Sequence, residues 1–186
     1  IAQQYSDLLK HLEVKTAHIV GHSTGGLLSC WLMAKAPEVF QKAVLLAPVG
    51  AKGIQFDDLV LEKYEEMKAS KDLTAAIIAF TIHNCNVEAP FFKQVIVEDT
   101  YKCVNQVGSK IIQALRGFSS EDVMKNIKAD VTVLFGEHDI LLPKADARAL
   151  TQLIAKSRFV EVSGAGHCLN VENPKLMAQY LQDYLF

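Results

Sequence analysis

The chain has 186 residues, half of them hydrophobic and 22% charged, a balance that excludes a disordered or fibrous chain and suits one folded domain. Nineteen Lys and Arg against 21 Asp and Glu leave a formal charge of −2, without the concentrated positive charge that a nucleic-acid partner requires. No apolar run reaches the ~20 residues of a membrane span.

The opening residues predict a helix, with Ile1, Tyr5, Leu8, Leu9 and Leu12 on one stripe at helical spacing. The chain begins at Ile and lacks the basic start and apolar run of a signal peptide, so the true beginning is expected upstream. Residues 17–20 (AHIV) read as a strand buried on both faces and ending at Gly21. A helix follows from Gly25 and stops before Pro37, because proline disfavours helix at the residue preceding it. Residues 43–47 (AVLLA) are the next buried strand, closed by Pro48 and Gly50. Strand, helix and strand in this order predict a parallel sheet.

From about 53 to 129 the pattern is helical. Stretches at 56–68, 73–80, 90–104 and 108–118 are followed by a short helix begun by the capping-type residues Ser119, Ser120, Glu121 and Asp122. The segment VIV at 95–97 has strand propensity, but its polar flanks and short length favour helix. Alternation resumes with a strand at 131–135 (VTVLF) ending at Gly136, and then a helix led by Pro143 to about 156. A strand at 158–162 (RFVEV) precedes a last helix, capped by Asn173 and opened by Pro174. The organisation is an α/β core at 1–50 and 130–186, with a helical insertion at 51–129. The four cysteines (Cys30, Cys85, Cys103 and Cys168) lack metal-ligand spacing and are too sparse for a disulfide scaffold, so they read as reduced thiols of a cytoplasmic protein.

Gly21-His22-Ser23-Thr24-Gly25 matches G-x-S-x-G where a strand passes straight into a helix, the setting of a nucleophile elbow. Glycine is expected at 21 and 25 because the residues two before and two after the serine come together there. The turn holds Ser23 in a strained backbone with its hydroxyl free, and the Thr24 amide, at a helix N-terminus, faces any oxyanion formed. A base and an acid follow at later strand ends, His167 in GAGH and Asp139 in GEHD, with Glu137 as the rival acid. Parallel strands place their C-terminal ends on one edge, so Ser23, Asp139 and His167 are expected to converge there. His22 reads as packing beside the elbow and His138 as exposed or structural. His11, His18 and His83 have no ligand-spaced partners and define no metal site. Cys30 and Cys168 read as core fillers.

GHSTGG at 21–26, GEHDILLP at 136–143 and GAGHCLNVENP at 164–174 resemble the α/β-hydrolase superfamily, in particular its small serine members with a helical cap. The resemblance runs over nearly the whole chain, and the serine at 23 argues against the dehalogenase and epoxide-hydrolase branches, which carry aspartate there. It implies an α/β-hydrolase fold, with a mostly parallel sheet, flanking helices and residues 51–129 as the cap. Trp31, Phe80, Phe91 and Phe92 are candidates for the pocket lining, Trp31 being better suited to the core. It further implies a serine hydrolase that needs no cofactor and cleaves a small-molecule carboxylic ester or related acyl bond through Ser23, His167 and Asp139. C–C bond hydrolysis, enol-lactone opening, acyl transfer and perhydrolysis share that machinery, and a non-catalytic ligand receptor is the remaining alternative. In the family the elbow closes the fifth strand and the second oxyanion amide follows the third, so the first strands and that loop are expected to be missing here. A polypeptide limited to these residues is therefore expected to be poorly active. Its strand at 17–20 is expected to present an apolar edge covered by an N-terminal segment or a second copy.

Overall fold

Four short apolar runs pair side by side in the computed structural model, which describes residues 2–54, 58–116 and 118–186. β1 (Ala17–His22), β2 (Phe40–Leu46), β3 (Asp130–Gly136) and β4 (Ser157–Val162) form one sheet in the order β1-β2-β3-β4, each pair parallel. One row across it runs Gly21, Leu45, Val133, Phe159, so the chain leaves all four strands on the same edge. Every crossover steps the same way, and right-handed connections then place α2 (Thr24–Lys35) and α8 (Lys144–Leu153) on one face. α1 (Ala2–His11) lies beside α2. α10 (Pro174–Leu185) packs against β2, where Lys42 Nζ donates to the Leu185 carbonyl at 3.2 Å. Its start follows the sequence signal, with Asn173 Oδ1 accepting from the Leu176 amide at 3.0 Å.

Burial follows position in the sheet. Val44, Leu45, Val133 and Leu134, on the two inner strands, are shut off from solvent. α2 is apolar nearly all round and is buried accordingly, Cys30 and Met33 completely. β1 departs from the expectation of burial on both faces. It has a neighbour on one side among the described residues, and Val20 is 47% exposed.

Between β2 and β3 the chain runs through α3 (Asp58–Ala69), α4 (Lys71–Phe80) and a long helical run. In that run π-helical turns at Phe92–Ile96 and Val104–Gly108 alternate with α5 (Val97–Cys103) and α6 (Ser109–Leu115), and α7 (Glu121–Met124) follows. The segment 95–97 is helical, as its flanks favoured. The stretches expected at 90–104 and 108–118 are one continuous run to Leu115, with Gly108 at the end of a wide turn where a Cβ would lie 3.2 Å from the Tyr64 ring. Ile1, Phe56, Asp57 and Gly117, which the expected helices include, lie outside the described residues. Ser120 was expected to cap α7, but its hydroxyl donates instead to the Ala51 carbonyl at 3.0 Å, anchoring the helix to the exit of β2. An unforeseen one-turn helix, α9 (Leu169–Glu172), precedes α10. A small apolar cluster of Ile82, Phe92, Val97 and Cys168 joins the inserted helices to the loop before α9. Among the described residues no helix is long and apolar enough to cross a membrane.

Leu45 makes no exposed surface and sits between Gly21 of β1 and Val133 of β3. Leu45→Ala should lower the unfolding free energy by about 2–5 kcal/mol, read as a lower urea midpoint with an unchanged slope.

Candidate active site

Ser23 occupies the single residue between β1 and α2, at φ 55 and ψ −122. Its amide donates to the Leu46 carbonyl at 3.0 Å, and its carbonyl accepts from the Gly26 amide at 2.9 Å and the Val49 amide at 3.1 Å. Gly21 is required as expected, since a Cβ there would meet Ser29 Oγ at 2.4 Å and the Gly25 carbonyl oxygen at 2.5 Å. The clash expected of Gly25 is absent, because it is the Gly25 carbonyl that faces Gly21 and its own Cβ direction is open. The second steric demand falls on Gly26, whose Cβ would lie 2.6 Å from that of Pro48.

Asp139 leaves the end of β3 and meets His167 from the loop after β4. Asp139 Oδ2 is 2.8 Å from His167 Nδ1, and the two side chains are 0% and 4% exposed. Asp139 Oδ1 accepts from the Leu141 and Leu142 amides at 2.8 and 3.2 Å, which fixes the carboxylate plane. A carboxylate can only accept, so His167 Nδ1 carries a proton and donates it to Asp139. Glu137, the rival acid, is exposed and turned elsewhere. It accepts from Ser163 Oγ at 2.8 Å and the Gly164 amide at 3.0 Å, and these bonds hold its carboxyl below the usual carboxylate range. His138 stacks on His83 with ring centroids 4.2 Å apart.

His22 packs beside the elbow, and its Nε2 donates to the His167 carbonyl at 2.9 Å. Burial, and next the electrostatic effect of the neighbouring His167 imidazole, lower its pKa from 6.5 to about 4. Burial likewise pushes the Cys168 thiol up to about 11 and the Cys30 thiol up to about 12, so both are protonated at neutral pH and unsuited to attack. All four cysteines are free. No group of three His, Cys, Asp or Glu among the described residues is arranged to hold a metal ion.

Ser23, Thr24, His22 and His167 line a cavity of about 710 Å³ between the sheet edge and the inserted helices. Its far wall is largely aliphatic, from α3, α4 and the long helical run, with Leu59, Met67, Ile78, Val104 and Ile112 among its side chains. Tyr64 supplies an aromatic ring there, its hydroxyl pKa raised by burial and by Cys103. Among the described residues the Ser23 hydroxyl has no hydrogen-bond partner, which leaves it open to this cavity. None of the three phenylalanines proposed as pocket lining does so, and Trp31 packs on the core, as expected of it. Phe80 is 75% exposed, Phe91 is exposed, Phe92 belongs to the small cluster and Trp31 packs on Phe118. Helical rotation turns these side chains away from the serine. Conversely, sequence reasoning assigned nothing to Glu172, which lies behind the His167 loop and bonds only to backbone. Its one available signal was an acidic residue shortly after the histidine.

A family model for the alpha/beta hydrolase family matches residues 2–180. This chain belongs to that family. It is 23% identical over 185 residues to the carboxylesterase YbfK of Bacillus subtilis, covering 99% of this chain and 62% of that relative. It is 27% identical over 179 residues to 3-oxoadipate enol-lactonase 2 of Acinetobacter baylyi, covering 90% and 63%. The chain therefore spans a little under two thirds of either relative's length. Among solved structures, an esterase from Exiguobacterium antarcticum shares the fold at a TM-score of 0.83 and 18% identity, covering 98% of this chain and 71% of that one.

Two outcomes follow for the elbow. Gly21→Ala should destabilise the protein by about 1–3 kcal/mol through overpacking against backbone, whereas Gly25→Ala should be neutral or slightly stabilising, as compared by thermal unfolding. His22 gives a pH signature. Between 6.5 and about 4 the unfolded chain binds a proton that the folded chain refuses, so stability rises with pH through that window. The contribution is whole above 6.5 and is lost toward 4, on the order of 3 kcal/mol in all. His22→Gln should flatten that part of the stability curve in urea titrations at pH 4.5 and 7.

Proposed function

We propose that this chain is a serine hydrolase cleaving a carboxylic ester or related acyl bond, with Ser23 as nucleophile, His167 as base and Asp139 as orienting acid, and with no cofactor. The buried 2.8 Å contact between Asp139 and His167, at the wall of the cavity that Ser23 shares, carries the reading. An acid that holds the proton on Nδ1 leaves Nε2 as the base that a serine alcohol needs.

In this reading Ser23 Oγ bonds to the carbonyl carbon while His167 Nε2 takes the hydroxyl proton. The oxyanion meets the Thr24 amide, which opens α2 and has no intrahelical acceptor by its position. The imidazolium, stabilised by Asp139, passes its proton to the leaving oxygen as the C–O bond breaks. Water then attacks the acyl-serine, giving one proton to His167, and the carboxylic acid departs as Ser23 regains its proton. The helices between β2 and β3 act as a cap whose aliphatic wall receives an apolar part of the substrate. Lys63, the one Lys or Arg in that lining among the described residues, has its ammonium 2.7 Å from Glu66 Oε2. A free carboxylate on the substrate thus has no committed cation. This favours neutral esters over the carboxylate-bearing substrate that the name of the enol-lactonase relative describes, and the carboxylesterase relative agrees.

The test is labelling with a fluorophosphonate and locating the adduct by mass spectrometry. The expected adduct is on Ser23, absent in Ser23→Ala and formed slower by a factor on the order of 10³ or more in His167→Ala. An adduct on another residue, or full-rate labelling of His167→Ala, overturns the reading.

A further inference from the structure

An imidazole on a loop reaches its partners reproducibly only if the backbone beneath it is fixed first. Around His167 that fixing has one conspicuous source. The Glu172 carboxylate, at the end of α9, turns back on the loop. Its Oε2 accepts from the Gly166 amide at 2.6 Å and its Oε1 from the Cys168 amide at 3.0 Å, the two amides that flank His167. Oε1 also accepts from the His83 amide at 2.9 Å, in the turn after α4. The approach is close: a Cβ on Gly166 would lie 2.9 Å from Glu172 Oε1 and 2.7 Å from the His83 Cβ. Meanwhile the His167 carbonyl is held from the far side by His22 Nε2. Three converging N–H donors call for an acceptor-only group, and bonds to an ionised carboxylate are about twice as strong as neutral ones.

We infer that Glu172 is a positioning residue for His167, clamping the backbone on both sides of the imidazole and tying the inserted helices to that loop through His83. The inference rests on His167 being the base. Glu172→Gln keeps the size but leaves a single acceptor oxygen and turns an amide N–H₂ toward one of the donors. In the folded variant, kcat for a neutral p-nitrophenyl ester should fall about 10–100-fold with KM within about twofold, and the fluorophosphonate labelling rate should fall in parallel. Added to His167→Ala, the same substitution should change the residual rate less than about twofold, because the group it positions is gone. Glu172→Asp keeps the charge but shortens the reach by one methylene. It should fall between the two, and it carries the test if the Gln variant does not fold by circular dichroism.

Wild-type kcat in Glu172→Gln, or equal losses in both backgrounds, overturns the inference and leaves the triad reading intact. Failure of both Glu172 variants to fold also overturns it, since Glu172 would then be a residue of the fold. Full-rate labelling of His167→Ala overturns the triad reading itself, and this inference with it.

Discussion

A backbone that leaves a parallel strand and enters a helix with no intervening loop must turn within one residue. At Ser23 it does so at φ 55 and ψ −122, a conformation costing on the order of 1–3 kcal/mol for a residue with a side chain. The bonds from Ser23 to Leu46, Gly26 and Val49 offset that cost, and two of the three partners lie at the exit of β2. The turn is thus a property of the sheet as much as of its own residues: without β2 alongside, only the bond from Gly26 would remain. Bare backbone at Gly21 and Gly26 gives α2 room to start directly above the strand. The remaining groups of the site are placed relative to this turn, because β3 and β4 end on the same edge.

Hydrogen bonds hold His167 through its ring and through the backbone on both sides of it. Its Nδ1–H points to Asp139, its carbonyl accepts from His22, and its flanking amides point to Glu172. The two histidine rings lie 4.8 Å apart, and the neighbouring ring adds to burial in disfavouring positive charge on His22. His22 stays neutral across the physiological range and donates its hydrogen bond to the His167 carbonyl. One imidazole fixes backbone, and the other faces the buried carboxylate.

Local signals were legible in the sequence. The four strands were marked by short β-prone runs closed by glycine or proline within two residues, the serine turn by its glycines, and parallel pairing explains why residues after such distant strands share an edge. What escaped depended on neighbours. Burial of β1 turns on how many strands flank it, which the run AHIV does not encode. Which elbow glycine is indispensable depends on where Pro48 arrives from the next strand. Gly108 looks like a break in the sequence, yet the helical run passes through it, where a Cβ would crowd the Tyr64 ring. Phe80 and Phe91 suggested a pocket by size alone, but helix rotation aims them outward. Glu172 bonds to main-chain amides, and no pattern of side chains announces that.

The wide turn at Val104–Gly108 lies in the middle of the cavity's far wall. Each such turn holds one more residue than an ordinary helical turn, in effect an insertion absorbed without a loop. Deleting one residue there would let the turn close to an ordinary helical turn and would leave Ile111, Ile112 and Leu115 at nearly their present angle on the serine side. The same deletion within α6 would instead rotate everything beyond it by about 100°. The stretch therefore holds one spare position, where a change of length leaves the chamber's shape alone, next to positions where the same change would recast it.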